Sequence, residues 1–419
     1  MEHRRKRVLF VFGVLMVCIG VCIFFLQYQS KKTQTILNLT TEQKLSDFDT
    51  LCAILDESYP FWKDIEQAGI DKEAIYSIYR TDIANTDTDI EFFKYIGYFL
   101  NEFDGCGHLS VLDGYMYGIY MDTLSESNNM LSSKEKRNIV PLRQVLENPV
   151  SLNTYSRLDQ SHGGFRSTIG LKREYAIRAV ENETRESQIT SSVYGDRKAA
   201  YIKIDSFELT NYQKDKATLE AFFSGIEDVP NLIIDLRGNR GGSDLYWEDL
   251  IAMPNAKDNL ISERYFLFNQ NEITKDYIAA LGIDASEINS LPEPLLSRYE
   301  DSFTHYIIDT EKCNAAGNPY NGKIWVLIDD TIYSSSENFV MFCKNTGFAT
   351  LVGTSTGGDG GIADPILISL PDSGLIIRFS AFYGLNNDGS GNEANGTEPD
   401  IVISDNEDAL EKCLDLIEG

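Results

Sequence analysis

The chain has 419 residues, 42% of them hydrophobic, and carries 37 basic against 64 acidic side chains, a formal net charge of −27. That length allows one large core and about two or three domains. Beyond residue 32 there remain 31 basic and 63 acidic residues, and an excess this acidic excludes nucleic acid and anionic lipid headgroups as partners of the main body.

The first 32 residues are a separate object. Arg4, Arg5, Lys6 and Arg7 precede an uncharged apolar run from Val8 to Leu26, with Lys31 and Lys32 after it. About 19 such residues suffice to cross a bilayer as a helix. A cleaved signal peptide is the competitor, but its apolar region is shorter, and Phe24-Phe25-Leu26-Gln27 has no small-x-small cleavage site. The reading is an uncleaved, single-pass anchor, with the basic N-terminus cytoplasmic and all that follows extracytoplasmic.

Residues 33–110 read as a helical domain. Leu45, Phe48, Leu51, Ile54 and Leu55 recur at helical spacing, Tyr59-Pro60 breaks the pattern, and Ile90 to Phe103 resumes it. The segment ends in Asp104-Gly105-Cys106-Gly107-His108, where glycines on both sides of the cysteine bend the chain before the histidine. Residues 111–195 are the least informative: Ser125 to Asn129 and Ser132 to Lys136 read as loops, Ser167 to Leu171 and Tyr175 to Val180 as short strands.

From residue 196 to 404 strands alternate with helices, the mark of a layered α/β domain. Ala199 to Ile204 and Asn231 to Leu236 read as strands, Asp215 to Ile226 and Asp244 to Met253 as helices, and Arg237-Gly238-Asn239-Arg240-Gly241-Gly242 as a glycine turn. Residues 254–322 are an excursion, with helices around Glu272 to Leu281 and Pro292 to Tyr299. Strand, turn and helix follow over Lys323 to Gly347, then strands near Thr350, Pro365 and Leu375, with Pro371 to Gly374 as a hairpin turn. Residues 405–419 form a terminal helix.

The turn from Thr331 to Ser336 delivers a serine to a helix N-terminus, where unpaired N–H groups and the positive dipole end can hold an oxyanion. Ser334-x-x-Glu337 also spells a capping box, in which the serine merely satisfies a backbone donor. A serine nucleophile needs a base. Beyond the first 32 residues the histidines are His108, His162 and His305; His305 is strand-like, His162 lies in a polar loop, and the glycine-framed His108 is favoured. Lys344 stands ten residues along a helix from Ser334, about 15 Å away, and cannot serve.

In order, Asp235-Leu236-Arg237-Gly238-Asn239-Arg240-Gly241-Gly242, Ser334-Ser335-Ser336-Glu337, Val352-Gly353-Thr354 and Gly396-Thr397-Glu398-Pro399-Asp400-Ile401 resemble the C-terminal-processing (tail-specific) serine peptidases of family S41. The resemblance implies a crotonase/ClpP-like ββα core, with Ser334 as nucleophile and the backbone N–H groups of Ser335, Gly241 and Gly242 as the oxyanion hole. The best-known branch uses a lysine base, but Gly357-Gly358-Asp359-Gly360-Gly361 puts Asp359 in its place, and no PDZ-like segment is found. Both departures resemble the tricorn-core-like branch, which implies His108 as base and a supporting glutamate, for which Glu393 is preferred over Glu398. The expected function is a membrane-anchored extracytoplasmic serine peptidase that hydrolyses peptide or protein substrates through an acyl-enzyme, without metal or cofactor. The alternative is a catalytically inactive peptidase-like domain that binds peptides or apolar ligands. A histidine base also predicts one ionisation between roughly pH 6 and 7.5, with a plateau above it.

Overall fold

In the computed structural model, residues 37–125, 133–158, 189–196, 198–209, 212–254, 259–315, 320–361, 365–404 and 406–419 are described. The apolar run of residues 8–26, His162 and the two short strands expected at 167–171 and 175–180 lie outside them. Among the described residues no helix is long and apolar enough to cross a membrane.

The central sheet has six strands: β2 (Ile189–Tyr194), β3 (Ala199–Ile204), β4 (Asn231–Asp235), β8 (Lys323–Ile328), β9 (Thr350–Gly353) and β13 (Ile401–Val402). Their spatial order is β13-β9-β8-β4-β3-β2. Every neighbouring pair is parallel except β2 with β3. Such strands are covered on both faces, which explains their near-continuous apolar runs. On one face Leu232, Ile234, Val326 and Ile328 pack with α9 (Asp244–Ala252) and α12 (Ser335–Thr346). On the other, Ile233, Trp325, Leu327 and Val352 meet α14 (Ala409–Glu418).

The N-terminal helices α1 (Thr41–Ser58), α2 (Trp62–Gln67), α3 (Lys72–Ala84) and α4 (Asp89–Asn101) do not close a core by themselves. Their Phe48, Leu55, Phe92 and Phe99 belong to one cluster with Phe266 and Phe268 of the excursion and with Ile368, Ile376 and Phe379 near the C-terminus. The excursion contributes β5 (Leu260–Phe268), a strand not expected from sequence, paired antiparallel with β7 (His305–Cys313). The expected hairpin forms between β10 (Ile366–Ser369) and β11 (Ile376–Phe379), and β1 (Ser110–Val111) adds to its edge, pairing Ser110 with Arg378. That pairing fixes His108 in space, since it places the residue two positions before β1 over the C-terminal part of the chain.

Residues 111–158 are more helical than expected. They form α5 (Gly114–Ser125), α6 (Ser133–Leu146) and α7 (Pro149–Tyr155), so of the loop expected at Ser132 to Lys136 residues 133–136 are helical and Ser132 lies outside the described residues.

Candidate active site

Ser334 stands between β8 and α12 with φ 62° and ψ −127°, a conformation that costs a non-glycine residue about 1–3 kcal/mol and persists only where the surroundings impose it. They do so here by several bonds. Ser334 N–H donates to Gly358 O (3.4 Å) and Gly357 N–H to Ile332 O (2.8 Å). Ser336 Oγ lies 2.9 Å from both Asn239 O and Tyr333 O, either of which can accept its one proton, tying the serine turn to the glycine turn after β4. The capping box does not form: Ser334 makes no side-chain cap bond. Glu337 is fully buried and accepts from Thr397 Oγ1 (2.6 Å) and Asn392 Nδ2 (2.7 Å), which fastens the Gly396 to Asp400 segment to α12. With its backbone bent and its hydroxyl uncommitted to a cap, Ser334 is partly exposed and available for chemistry.

His108 is set by a turn of the same kind. Gly105, Gly107 and His108 all have positive φ (72°, 57° and 60°). At Gly107 the need for glycine is also steric, because a Cβ would fall 2.3 Å from the Phe61 ring. Tyr59 OH donates to Cys106 O (2.7 Å), Ser380 N–H to Gly107 O (2.7 Å), and Gly107 N–H to Glu393 Oε1 (2.8 Å). The imidazole lies edge-on to the Tyr333 ring, centroids 5.1 Å apart.

The two turns meet: His108 Nε2 is 3.1 Å from Ser334 Oγ across 226 residues of sequence. His305 is elsewhere, its Nδ1 3.1 Å from Thr304 Oγ1 on the excursion sheet, and Lys344 is ion-paired with Asp400.

The carboxylate against the imidazole is not Glu393 but Asp359, whose Oδ2 touches His108 Nε2. Glu393 acts one step back, on the backbone of Gly107 and on Tyr333 OH (3.3 Å). The preference for Glu393 as the direct partner is therefore corrected. The reason is the reach of the Gly357 to Gly361 loop, which brings a short side chain to the ring while the Gly107 turn occupies Glu393. Burial pushes Asp359 up to about 7, against the pull of Arg378. Burial, and then the neighbouring Asp359 charge, push Glu393 up to about 8. The pair thus titrates around neutrality, Glu393 the more readily protonated, as two nearby carboxyls in a buried site must.

The oxyanion donors also need one correction. Gly241 N–H is taken by Asn239 Oδ1 (2.9 Å), so Gly241 does not offer it. Its role is steric: a Cβ there would lie 2.9 Å from Ser335 N and 2.7 Å from Tyr333 O. Glycine keeps open the approach to the Ser335 N–H, which sits in the first turn of α12 and has no acceptor within the helix. Gly242 packs with its Cα against the Phe207 backbone.

Sequence reasoning missed Arg378, whose Nη1 lies 3.3 Å from His108 Nδ1. The signal was there, in a single charge within Leu375-Ile376-Ile377-Arg378-Phe379, an otherwise apolar strand that must give that charge a partner. Asp359 had a signal too, glycines on either side, as the turn before His108 has around Cys106.

Residues 198–403 match the model of peptidase family S41. That segment, just under half of the chain, is thus similar to peptidase family S41 and lies on a mixed α/β fold, which supports a serine-type peptidase, a hydrolase. Among solved structures it is similar to a candidate peptidase of Parabacteroides merdae (TM-score 0.53, 18% identity, covering 91% of this chain and 98% of that one). It is also similar to mature CPAF (TM-score 0.51, 15% identity, 86% and 92%), and to mature CPAF complexed with lactacystin (TM-score 0.51, 14% identity, 90% and 98%). At these identities the likeness is one of fold. A comparison with curated proteins gave no match.

Proposed function

We propose that the protein is a membrane-anchored, extracytoplasmic serine peptidase of the histidine-base type, built on a crotonase-like core and acting on peptides or proteins. The observation that carries this reading is the 3.1 Å approach of His108 Nε2 to Ser334 Oγ, made by two turns that each hold a strained backbone for that purpose. Ser334 Oγ attacks the scissile carbonyl while its proton passes to Nε2, and the imidazolium then protonates the leaving amine. Asp359, ionised beside Nε2, stabilises the imidazolium. The oxyanion forms on Ser335 N–H, with Gly242 N–H as the second candidate donor. Water resolves the acyl-enzyme by the same steps in reverse order. The anchor is the Val8 to Leu26 run, oriented by the four basic residues before it.

Cleavage of an unfolded protein between pH 5 and 9 tests the reading. The full chain should cleave it and Ser334→Ala should not. No cleavage by the wild type at any pH in that range would favour the alternative of an inactive domain that binds peptides or apolar ligands.

A further inference from the structure

We infer that Arg378 is a positioning residue that holds His108 in the tautomer unable to accept the Ser334 proton, so that the enzyme rests inactive until Arg378 leaves Nδ1. The inference rests on the Ser334–His108 reading and deepens it. A guanidinium has only donors, so at 3.3 Å its Nη1 can bond Nδ1 only where Nδ1 presents a lone pair. A neutral imidazole has one N–H, which then sits on Nε2, the nitrogen 3.1 Å from Ser334 Oγ. In that state Nε2 is a donor, facing Asp359 Oδ2 and Ser334 Oγ, and has no lone pair for the serine proton. A base must do the opposite, with its proton on Nδ1.

The fold makes the contact durable. Arg378 lies on β11 opposite Ser110, and Ser380, the residue just past that strand, donates its N–H to Gly107 O, so strand and histidine turn move together. It also supplies the release. Asp359, in contact with the far side of the same ring, feels the Arg378 charge, which pulls its carboxyl down against burial. Arg378 therefore has an anion to turn to. The other groups facing this cluster are Glu393 and Tyr333, and the latter's phenol is held neutral by burial. An acyl group entering beside Ser334 need only draw Arg378 from the ring for the proton to move to Nδ1.

The test uses the full chain in detergent, labelled with nitrogen-15 in its four histidines, the His108 signals being those lost in His108→Ala. In the resting wild type at pH 8, Nε2 should carry the proton and Nδ1 should have the shift of an unprotonated nitrogen. In Arg378→Met the proton should move toward Nδ1, and reaction with a fluorophosphonate should be roughly tenfold faster, the scale of one charge-assisted hydrogen bond. Arg378→Lys, which keeps a cationic donor, should behave as wild type. A wild-type His108 protonated on Nδ1 overturns the inference even if no variant folds. So does a folded Arg378→Met that reacts no faster than a wild type that does react. A wild type that never reacts, by contrast, removes the Ser334–His108 reading itself.

Discussion

Asp359 and Glu393 sit within one buried cluster yet are expected to respond differently to the loss of their charge. Glu393 is pushed up to about 8, so near pH 7 it is largely the neutral acid. Glutamine copies that form: it can still accept from Gly107 N–H and still donate. Glu393→Gln should accordingly keep kcat/KM at pH 7 within about threefold of wild type, whereas Glu393→Ala, which orphans the Gly107 N–H, should lose about tenfold or more. Asp359 is pushed up to about 7 and is useful as the anion. Below that pH it is protonated and cannot favour the imidazolium; above it the charge is present. Activity should therefore rise with pH through about 7, and Asp359→Asn should lose about 100-fold at pH 8, the low end of acid–base assistance, with the Asp359 component gone from the pH–rate profile. A loss of that size in Glu393→Gln, with Asp359→Asn near wild type, would return the supporting role to Glu393. The single ionisation expected from a lone histidine base thus becomes a profile shaped by three groups.

At the scale of elements, the site depends on three glycine-bearing turns closing on each other. Gly241 is the sharpest probe, since its φ of 94° and its approach to Tyr333 O and Ser335 N both require the absence of a side chain. Gly241→Ala should reduce kcat by about 10²–10³, as loss of an oxyanion donor does, with a far smaller change in KM. A variant that keeps its rate would mean that the Ser335 N–H is not used. These turns were also the most legible part of the sequence. Glycine clusters at 105–107, 238–242 and 357–361 stand out because only glycine takes such backbone angles cheaply, and the helix before the first and the strands before the other two are apolar enough to read directly. The role of Glu337 was not legible, because capping and burial call for the same residue three positions after a serine. Neither was β5, whose Ser262, Glu263 and Arg264 interrupt the apolar pattern. Arg264 is buried against Asn338 and the acids Asp309 and Glu311, so a polar residue that looked like solvent exposure belongs to the interior.

At the scale of the molecule, the shared cluster of aromatic and aliphatic side chains explains why residues 37–110 can bring His108 to a serine distant in sequence. Periodicity shows that a helix has an apolar face but not what covers it, so the joining of α1 and α4 to β10 and β11 could not be read from the chain. Acidic composition and buried carboxyls together predict the pH dependence of stability. Asp47, Asp64, Glu337, Asp359 and Glu393 are all raised, with burial the largest cause for each. A carboxyl raised on folding contributes stability that is full below its unfolded pKa and is lost as pH climbs through the folded value. For Asp359 and Glu393 that loss falls between about pH 4 and the raised values near 7 and 8. Repulsion within a chain of net charge −27 acts in the same direction. Thermal melts should show a higher Tm at pH 5.5 than at pH 8.5, and the double variant Asp359→Asn, Glu393→Gln should flatten that slope; a wild-type Tm that climbs over this range would contradict the placement of these carboxyls.

The most direct test of the central claim is the site of covalent modification by a fluorophosphonate, read by mass spectrometry on the intact chain and on its peptides. One adduct on Ser334 is expected, absent from Ser334→Ala and lost in a His108→Ala variant whose circular dichroism matches wild type. An adduct on another serine, or one on Ser334 that forms at the same rate without His108, would contradict the account.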